Sequence, residues 1–442
     1  MDTLDTAAPL GATTTLDIKT VYTKVIWRLM PFLLIAFMIN AIDRMNVSFA
    51  KLRMAQDIAL TDAAYGIGVG VFYLGYICFE VPSNVYMQRV GARATLTRIM
   101  VLWGLVTMAT AFVTSPEQLI AARFMLGLAE AGFFPGVILY LTYWFPGALR
   151  GRITASFLMA GIMAGVICGP LAGAIMSHLD GWIGLRDWQA LFVLTGLPAI
   201  VLGVIGWFWL VDRPENARWL NEGEKKAIAQ ALAAEPAKVH GRASDALREP
   251  RLYIAGVVYF CIYSGSNTVS YWLPTLIRDF GEADMKNIGM LSALPYLVGV
   301  CAMYLLGRSS DRHLERRWHL AATLMVSAGC FALLGLVQGM MTPSILLMSL
   351  GAAAALSAVS LFWTIPPALL SPTGAAIGIG LISSMGHLAG VVSQAAVGAI
   401  RSATGSLYLA FDIMAVVLVC GALLLLIGIP ARVLRDRRLP QE

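Results

Sequence analysis

Long runs of apolar residues, broken only by short polar stretches, fill almost the whole chain. A hydrocarbon layer about 30 Å thick is crossed by roughly 20 apolar residues in a helix. In lipid such a run must bond its own backbone groups, so it folds as a helix. On this spacing the pattern predicts twelve spans, near 25–50, 64–88, 94–114, 117–141, 150–177, 188–211, 251–275, 287–307, 318–338, 343–367, 375–399 and 405–430. One long polar segment, Asp212 to Pro250, separates six spans from six. It mixes both signs of charge with helix formers at Asn221–Ala234, which predicts a solvated linker holding a short amphipathic helix. The expected organisation is an all-α membrane protein. An N-terminal tail (1–24) leads to a six-helix half (25–211), the linker (212–250), a second six-helix half (251–430) and a C-terminal tail (431–442).

Composition agrees with a chain that lives in lipid. With 58% hydrophobic and 13% charged residues in 442, there is too little polar surface to cover a soluble globule. The six cysteines all fall in apolar runs, with no CxxC pair and no histidine at ligand spacing, so neither disulfides, a metal site nor a cofactor is expected. Met1 to Thr20 is polar and has no apolar segment ending in a cleavage site, so no signal peptide is expected. The net charge of +6 points to orientation rather than nucleic acid. Most basic residues fall in the segments on one side of the twelve-span layout, and only Lys51, Arg53, Arg186, Arg278, Lys286 and Arg401 fall on the other. The positive-inside rule then predicts cytoplasmic termini in a bacterial inner membrane.

Charged groups inside spans are costly, so each is a functional candidate, with a structural ion pair as the alternative. Four stand out: Asp43 and Arg44 late in span 1, and Arg123 and Glu130 in span 4. Arg123 and Glu130 lie seven residues apart, nearly two turns, and so share one helix face. Asp43 and Arg44 are adjacent, rotated by about 100°, and must point to different surroundings. The four charges sum to zero. An anionic guest that competes for an arginine frees the acid paired with it to take up a proton, which is the logic of proton-coupled symport. Glu80, one turn from the end of span 2, reads as a gating or structural acid.

The loops after spans 2 and 8 echo each other. Gly307-x-x-x-Asp311-Arg312, followed by Arg316 and Arg317, predicts a glycine at a close helix approach and an acid able to pair across a moving interface. The first-half counterpart keeps Arg89 and Arg93 but lacks the glycine and the acid. This pair of loops resembles the signature of the major facilitator superfamily, whose two six-helix halves hold substrate between them at mid-membrane.

A more specific resemblance follows. Ile42-Asp43-Arg44-Met45-Asn46-Val47-Ser48, Phe72-Tyr73-Leu74-Gly75-Tyr76 running on to Glu80-Val81-Pro82-Ser83-Asn84, and Arg123-Phe124 through Glu130 to Phe134-Pro135-Gly136 resemble motifs of the anion:cation symporter family. So do Phe362-Trp363 and Gly378 to Gly390. The resemblance implies transport of carboxylates such as sugar acids, tartrate, phthalate or hydroxyphenylacetate together with protons. It implies Asp43 and Glu130 as proton-coupled acids with Arg44 and Arg123 as partners, and Tyr76 with Trp363 and Thr364 as cavity lining. The chain departs from the family in span 11, where His387 and Gln394 stand in place of the usual asparagine and proline, and His387 is a candidate substrate contact. Trp363 beside Pro366 and Pro367 suggests an aromatic wall for a flat or sugar-like guest. Gly165-x-x-x-Gly169-Pro170-x-x-Gly173 is similar to an antiporter signature, although small residues at this spacing serve plain helix packing equally well.

No GxxxxGK[ST] segment supports ATP-driven transport, and no cluster of nucleophile, base or metal ligands supports an enzyme. The expectation is a monomeric secondary transporter whose partners are a small organic anion, protons and the bilayer. Anion exchange or uniport is the alternative, and substrate sensing a lesser one.

Overall fold

The computed structural model describes residues 17–234, 249–313, 315–366 and 375–430, and among them there is no β-strand. The C-terminal tail, Pro367 and the basic residues beyond position 430 lie outside the described residues.

Local chemistry sets the helix ends. α1 (Ile18–Asp57) begins at Asp17, whose carboxylate accepts the Lys19 N–H at 3.0 Å. A tight reversal leads to α2 (Asp62–Val90), capped by the Thr61 hydroxyl on the Ala64 N–H at 3.1 Å. Then follow α3 (Ala92–Thr110), α4 (Pro116–Glu130), α5 (Phe133–Trp144), α6 (Gly147–His178) and α7 (Asp187–Trp209). α8 (Glu222–Ala233) is the linker helix, and its capping box pairs Asn221 with Glu224. The second set comprises α9 (Pro250–Asp279), α10 (Met285–His313), α11 (Arg317–Leu333), α12 (Met341–Phe362), α13 (Ala375–Thr404) and α14 (Tyr408–Gly428). Among the described residues eleven stretches are long and apolar enough to cross a membrane, with α4 and α5 forming one of them. α3 falls short of that threshold, because Arg93 and Arg98 dilute its hydropathy.

Three sequence expectations need correction. The fourth apolar run is not one helix: it breaks after Glu130, where Gly132 takes φ +89° and Ser83 packs so close that a Cβ there would lie 2.4 Å from its Oγ. The tenth helix stops at Phe362, leaving Trp363 and Thr364 in a turn. Gly307 does not mark a close approach, since an added Cβ would meet nothing within 4 Å.

The packing of the second set repeats that of the first. α1 lies against α6 and α7, α2 against α4, and α3 against α4 and α7; likewise α9 lies against α13 and α14, α10 against α12, and α11 against α12 and α14. The sets meet through α1–α9, α2–α13 and α6–α10. These contacts concentrate at the end that bears the α1–α2 turn. There, a Cβ on Gly66 would strike the Gln394 carbonyl at 2.3 Å, and one on Gly169 the Gly289 carbonyl at 2.3 Å. The glycines of the Gly165–Gly173 motif thus serve packing of α6 on α10. Toward the opposite end such close approaches are missing at three glycines: Gly151 on α6, Gly307 on α10 and Gly380 on α13 all face open space.

Candidate functional site

Two polar centres sit inside the first set of helices. In the first, Glu130 is fully buried at the last turn of α4, where the break before Gly132 ends the helix. Its Oε2 accepts from Arg44 Nε at 2.7 Å and from Asn40 Nδ2 at 2.8 Å. Its other oxygen, Oε1, has no hydrogen-bond partner, and neither has Arg44 Nη2. Asn40 and Arg44 are one turn apart on α1, which places both groups on the same carboxylate.

Asp43 turns the other way, as its neighbouring position on the helix requires. It is fully buried, accepts from Thr107 Oγ1 at 2.6 Å and Asn46 Nδ2 at 3.1 Å, and Asn46 also reaches Thr195 Oγ1 at 2.9 Å. Among the described residues no cation forms an ion pair with Asp43.

Arg123 is 1% exposed, and its Nε and Nη2 find no hydrogen-bond partner. It lies over the Phe72 ring at 4.9 Å, and Arg44 lies over the same ring at 5.2 Å, which puts the two guanidinium carbons at most about 10 Å apart. A buried, permanently charged fork with unused donors is chemically suited to hold a carboxylate. The sequence expectation paired both arginines with the two acids. The structure brings Arg44 and Glu130 together and leaves Asp43 and Arg123 unpaired with one another.

Tyr76 is buried beside Arg44, whose Cζ stands 5.0 Å above its ring. On Tyr76 the ring of His387 also packs, at 4.8 Å, within a collar completed by Tyr73 (6.1 Å) and Tyr263 (6.2 Å). His387 Nδ1 is buried without a hydrogen bond, 3.6 Å from Glu80 Oε2. Trp363 is half-buried against Tyr259 and donates to its hydroxyl at 3.3 Å. Thr364 is exposed, and its hydroxyl turns back to the Leu361 carbonyl at 2.7 Å. Gln394 accepts from Trp272 Nε1 at 2.9 Å.

Of the loop residues, Arg89 is exposed at the end of α2, and Arg93 is exposed beside the Trp207 ring at 5.0 Å. Asp311 pairs with Arg316 inside its own loop, and Arg312 is exposed. The cross-interface pairing expected of Asp311 is thus not formed among the described residues, because Arg316, five positions along the chain, takes its carboxylate.

Sequence reasoning missed the polar supports and the charge cluster that shuts the α1–α2 end. Asn40, Thr107 and Thr195 carried only the weak signal of polar residues within apolar runs. The cluster joins Lys51 to Asp62 at 2.5 Å, Asp62 to Arg401 at 3.3 Å, and Arg401 to Asp279. Lys51 also stands over the rings of Trp272 (4.0 Å) and Tyr65 (4.5 Å). These residues flank separate spans, and no spacing rule links them.

The chain matches the Major Facilitator Superfamily over residues 33–394. It is 40% identical, over 94% of its length and 95% of the relative's, to a Pseudomonas putida protein named as a metabolite transport protein, NicT. It is 37% identical, over 93% and 95%, to an Agrobacterium vitis protein named as a tartrate transporter. In fold it is similar to the crystal structure of a D-xylose-proton symporter, with a TM-score of 0.73 over 92% of this chain and 98% of that one at 16% identity. With a helical pairing pattern that occurs twice and a buried charged site between the helices, this chain belongs to the Major Facilitator Superfamily and is a multi-pass membrane transporter, not an enzyme.

Proposed function

We propose that the protein is a proton-coupled symporter that imports a small organic carboxylate across the bacterial inner membrane. The observation that carries this reading is Arg123, buried and holding two unused donors, a short distance from the Arg44–Glu130 pair. A guest carboxylate docks on Arg123 and competes for Arg44. As Arg44 swings to the guest, Glu130 loses its counter-charge in a low-dielectric setting and takes a proton from water. The loaded site is then neutral overall and free to cross the rocking interface. Release of the guest returns Arg44 to Glu130, which gives its proton up on the other side. Asp43, held by Thr107 and Asn46 and by no cation, is the second proton-coupled acid. The relative named as a tartrate transporter supports a guest anchored by a carboxylate, without fixing how many carboxylates it bears, and the fold neighbour named as a proton symporter is compatible with proton coupling.

In this reading twelve helices in two halves, 25–211 and 251–430, rock about the site, and residues 212–250 join them. The tails 1–24 and 431–442 face the cytoplasm with the arginine-rich loops, and the transporter acts as a monomer. The test is uptake of labelled tartrate, galactonate, hydroxyphenylacetate, phthalate and benzoates into proteoliposomes, with and without an acidic exterior. Accumulation that needs the gradient, and that Glu130→Gln loses while still exchanging preloaded substrate, is the expected result. Uptake indifferent to the gradient but dependent on an internal anion would overturn symport in favour of exchange.

A further inference from the structure

The collar beyond Tyr76 holds a second polar pair that the transport cycle above does not use. Glu80 on α2 and His387 on α13 face each other across the interface between the two helix sets, with side chains 18% and 13% exposed. At 3.6 Å, Nδ1 and Oε2 are too far apart for a hydrogen bond, and Nδ1 has no other partner. A ring nitrogen and a carboxylate held at this spacing offer a donor and an acceptor to one small neutral group. A guest hydroxyl satisfies both, accepting from His387 and donating to Glu80. The pair is also tied to the arginine site: Tyr76 lies 5.0 Å from Arg44 Cζ on one side and 4.8 Å from the His387 ring on the other. A compact, rigid guest therefore reaches both.

Resting on the carboxylate-transport reading above, we infer that Glu80 is a charge filter: with His387 it selects monocarboxylates bearing a distal hydroxyl and rejects dicarboxylates. The arginines welcome one carboxylate. A second one, delivered to the far end of the site, meets the Glu80 oxygen next to the tyrosine-lined His387 ring, where like charges repel. Rejection by an unfavourable contact is how a site discriminates between guests that share an anchoring group. The consequence is a division of labour: Arg44 and Arg123 set affinity for the anchor, whereas Glu80 and His387 read the opposite end.

A matched set of para-substituted benzoates tests this on the full-length protein in proteoliposomes: 4-hydroxybenzoate, terephthalate and monomethyl terephthalate, the last keeping the size of the diacid without its second charge. In the wild type, 4-hydroxybenzoate is expected to be taken up at least about tenfold better than terephthalate, and the monoester to compete for uptake at least about tenfold better than the diacid. Glu80→Gln is expected to bring the 4-hydroxybenzoate to terephthalate ratio toward one. A wild type that carries terephthalate as well as 4-hydroxybenzoate overturns the filter while leaving carboxylate transport standing. So does a selectivity ratio that Glu80→Gln leaves unchanged. If the variant does not fold, the wild-type contrast between diacid and monoester decides alone, equal competition counting against the filter. Absence of uptake for every carboxylate tried, these and the aliphatic acids alike, strikes the underlying transport reading instead.

Discussion

The two ends of the molecule use charge in opposite ways. At the α1–α2 end cations are few, and five of them are engaged: Lys51 with Asp62, Arg53 with Asp187 at 3.5 Å, Arg186 with Asp57, Arg278 with the Leu52 carbonyl at 2.8 Å, and Arg401 with both Asp62 and Asp279. Two of these contacts, Arg278 with Leu52 and Arg401 with Asp62, cross from one helix set to the other, and the helices beneath them touch backbone to backbone at Gly66, Gly398, Gly169 and Gly289. At the α8 end cations are many, and Arg89, Arg93, Arg152, Arg308 and Arg312 are exposed. The one acid of that loop motif, Asp311, is satisfied locally by Arg316. The contrast teaches that closure is made by complementary charge laid over close-packed glycines, and that abundance of charge by itself closes nothing.

Removing the acid that two cations share should disturb this balance most. Asp62→Asn leaves Lys51, 5% exposed, and Arg401 facing each other, and is expected to weaken closure by roughly 3 kcal/mol, about a hundredfold in the open population. Cys168 reports it: only 2% exposed, it lines a small cavity with Met45, Ser270, Ser292 and Tyr296 in the closed wall. Its modification by a membrane-impermeant thiol reagent, located by mass spectrometry, should accelerate accordingly, and an unchanged rate would place closure elsewhere. A smaller effect, about 1–3 kcal/mol in the same assay, is expected for Gly66→Ala, whose methyl must push α13 away. The matched change at the opposite end, Gly307→Ala, meets open space and should instead raise helix stability by about 0.5–1 kcal/mol, read as a small gain in melting temperature. A loss there would show that the α10 end is packed after all.

The smallest effect concerns α8, which Glu224 ties to α1 through Lys24 at 2.9 Å. Burial pushes the Glu224 carboxyl up, but the Lys24 ammonium and the Asn221 N–H outweigh it and hold the group below the ordinary glutamate range. A lowered folded value means its contribution is complete above about pH 4.3 and fades as pH falls through the folded value. Glu224→Gln should therefore cost under about 1 kcal/mol near neutrality, and its melting temperature should converge with that of the wild type in acid. A gap that persisted at low pH would assign the effect to packing rather than to the ion pair.

How far the sequence could be read differs from residue to residue, and the differences have causes. Helix existence was legible because twenty apolar residues in a row have few other fates in lipid. Helix continuity was less so: the break after Glu130 comes with Gly132 at φ +89°, where Ser83 of another helix leaves no room for a Cβ. The opposed directions of Asp43 and Arg44 follow from helical rotation alone, and α3 and α7 on one side and α4 on the other bear them out. Which arginine takes which acid did not follow. That choice depends on where α4 ends and on Asn40 sharing the Glu130 oxygen, both settled by contacts between helices distant in the chain.

The amino-acid pattern by itself determined the all-helical build, the approximate spans, the linker helix at Asn221–Ala234 and the short list of buried charges, since each rests on local periodicity or on the cost of a charge in lipid. Only the tertiary structure decided that Arg123 keeps two donors without hydrogen bonds among the described residues, that Glu80 meets His387 across two helix sets, and that Lys51, Asp62, Arg401 and Asp279 converge at one end. Apart from Lys51 with Asp62, such meetings join residues more than a hundred positions apart, and chain spacing carries no information about them. They follow from how the helices pack.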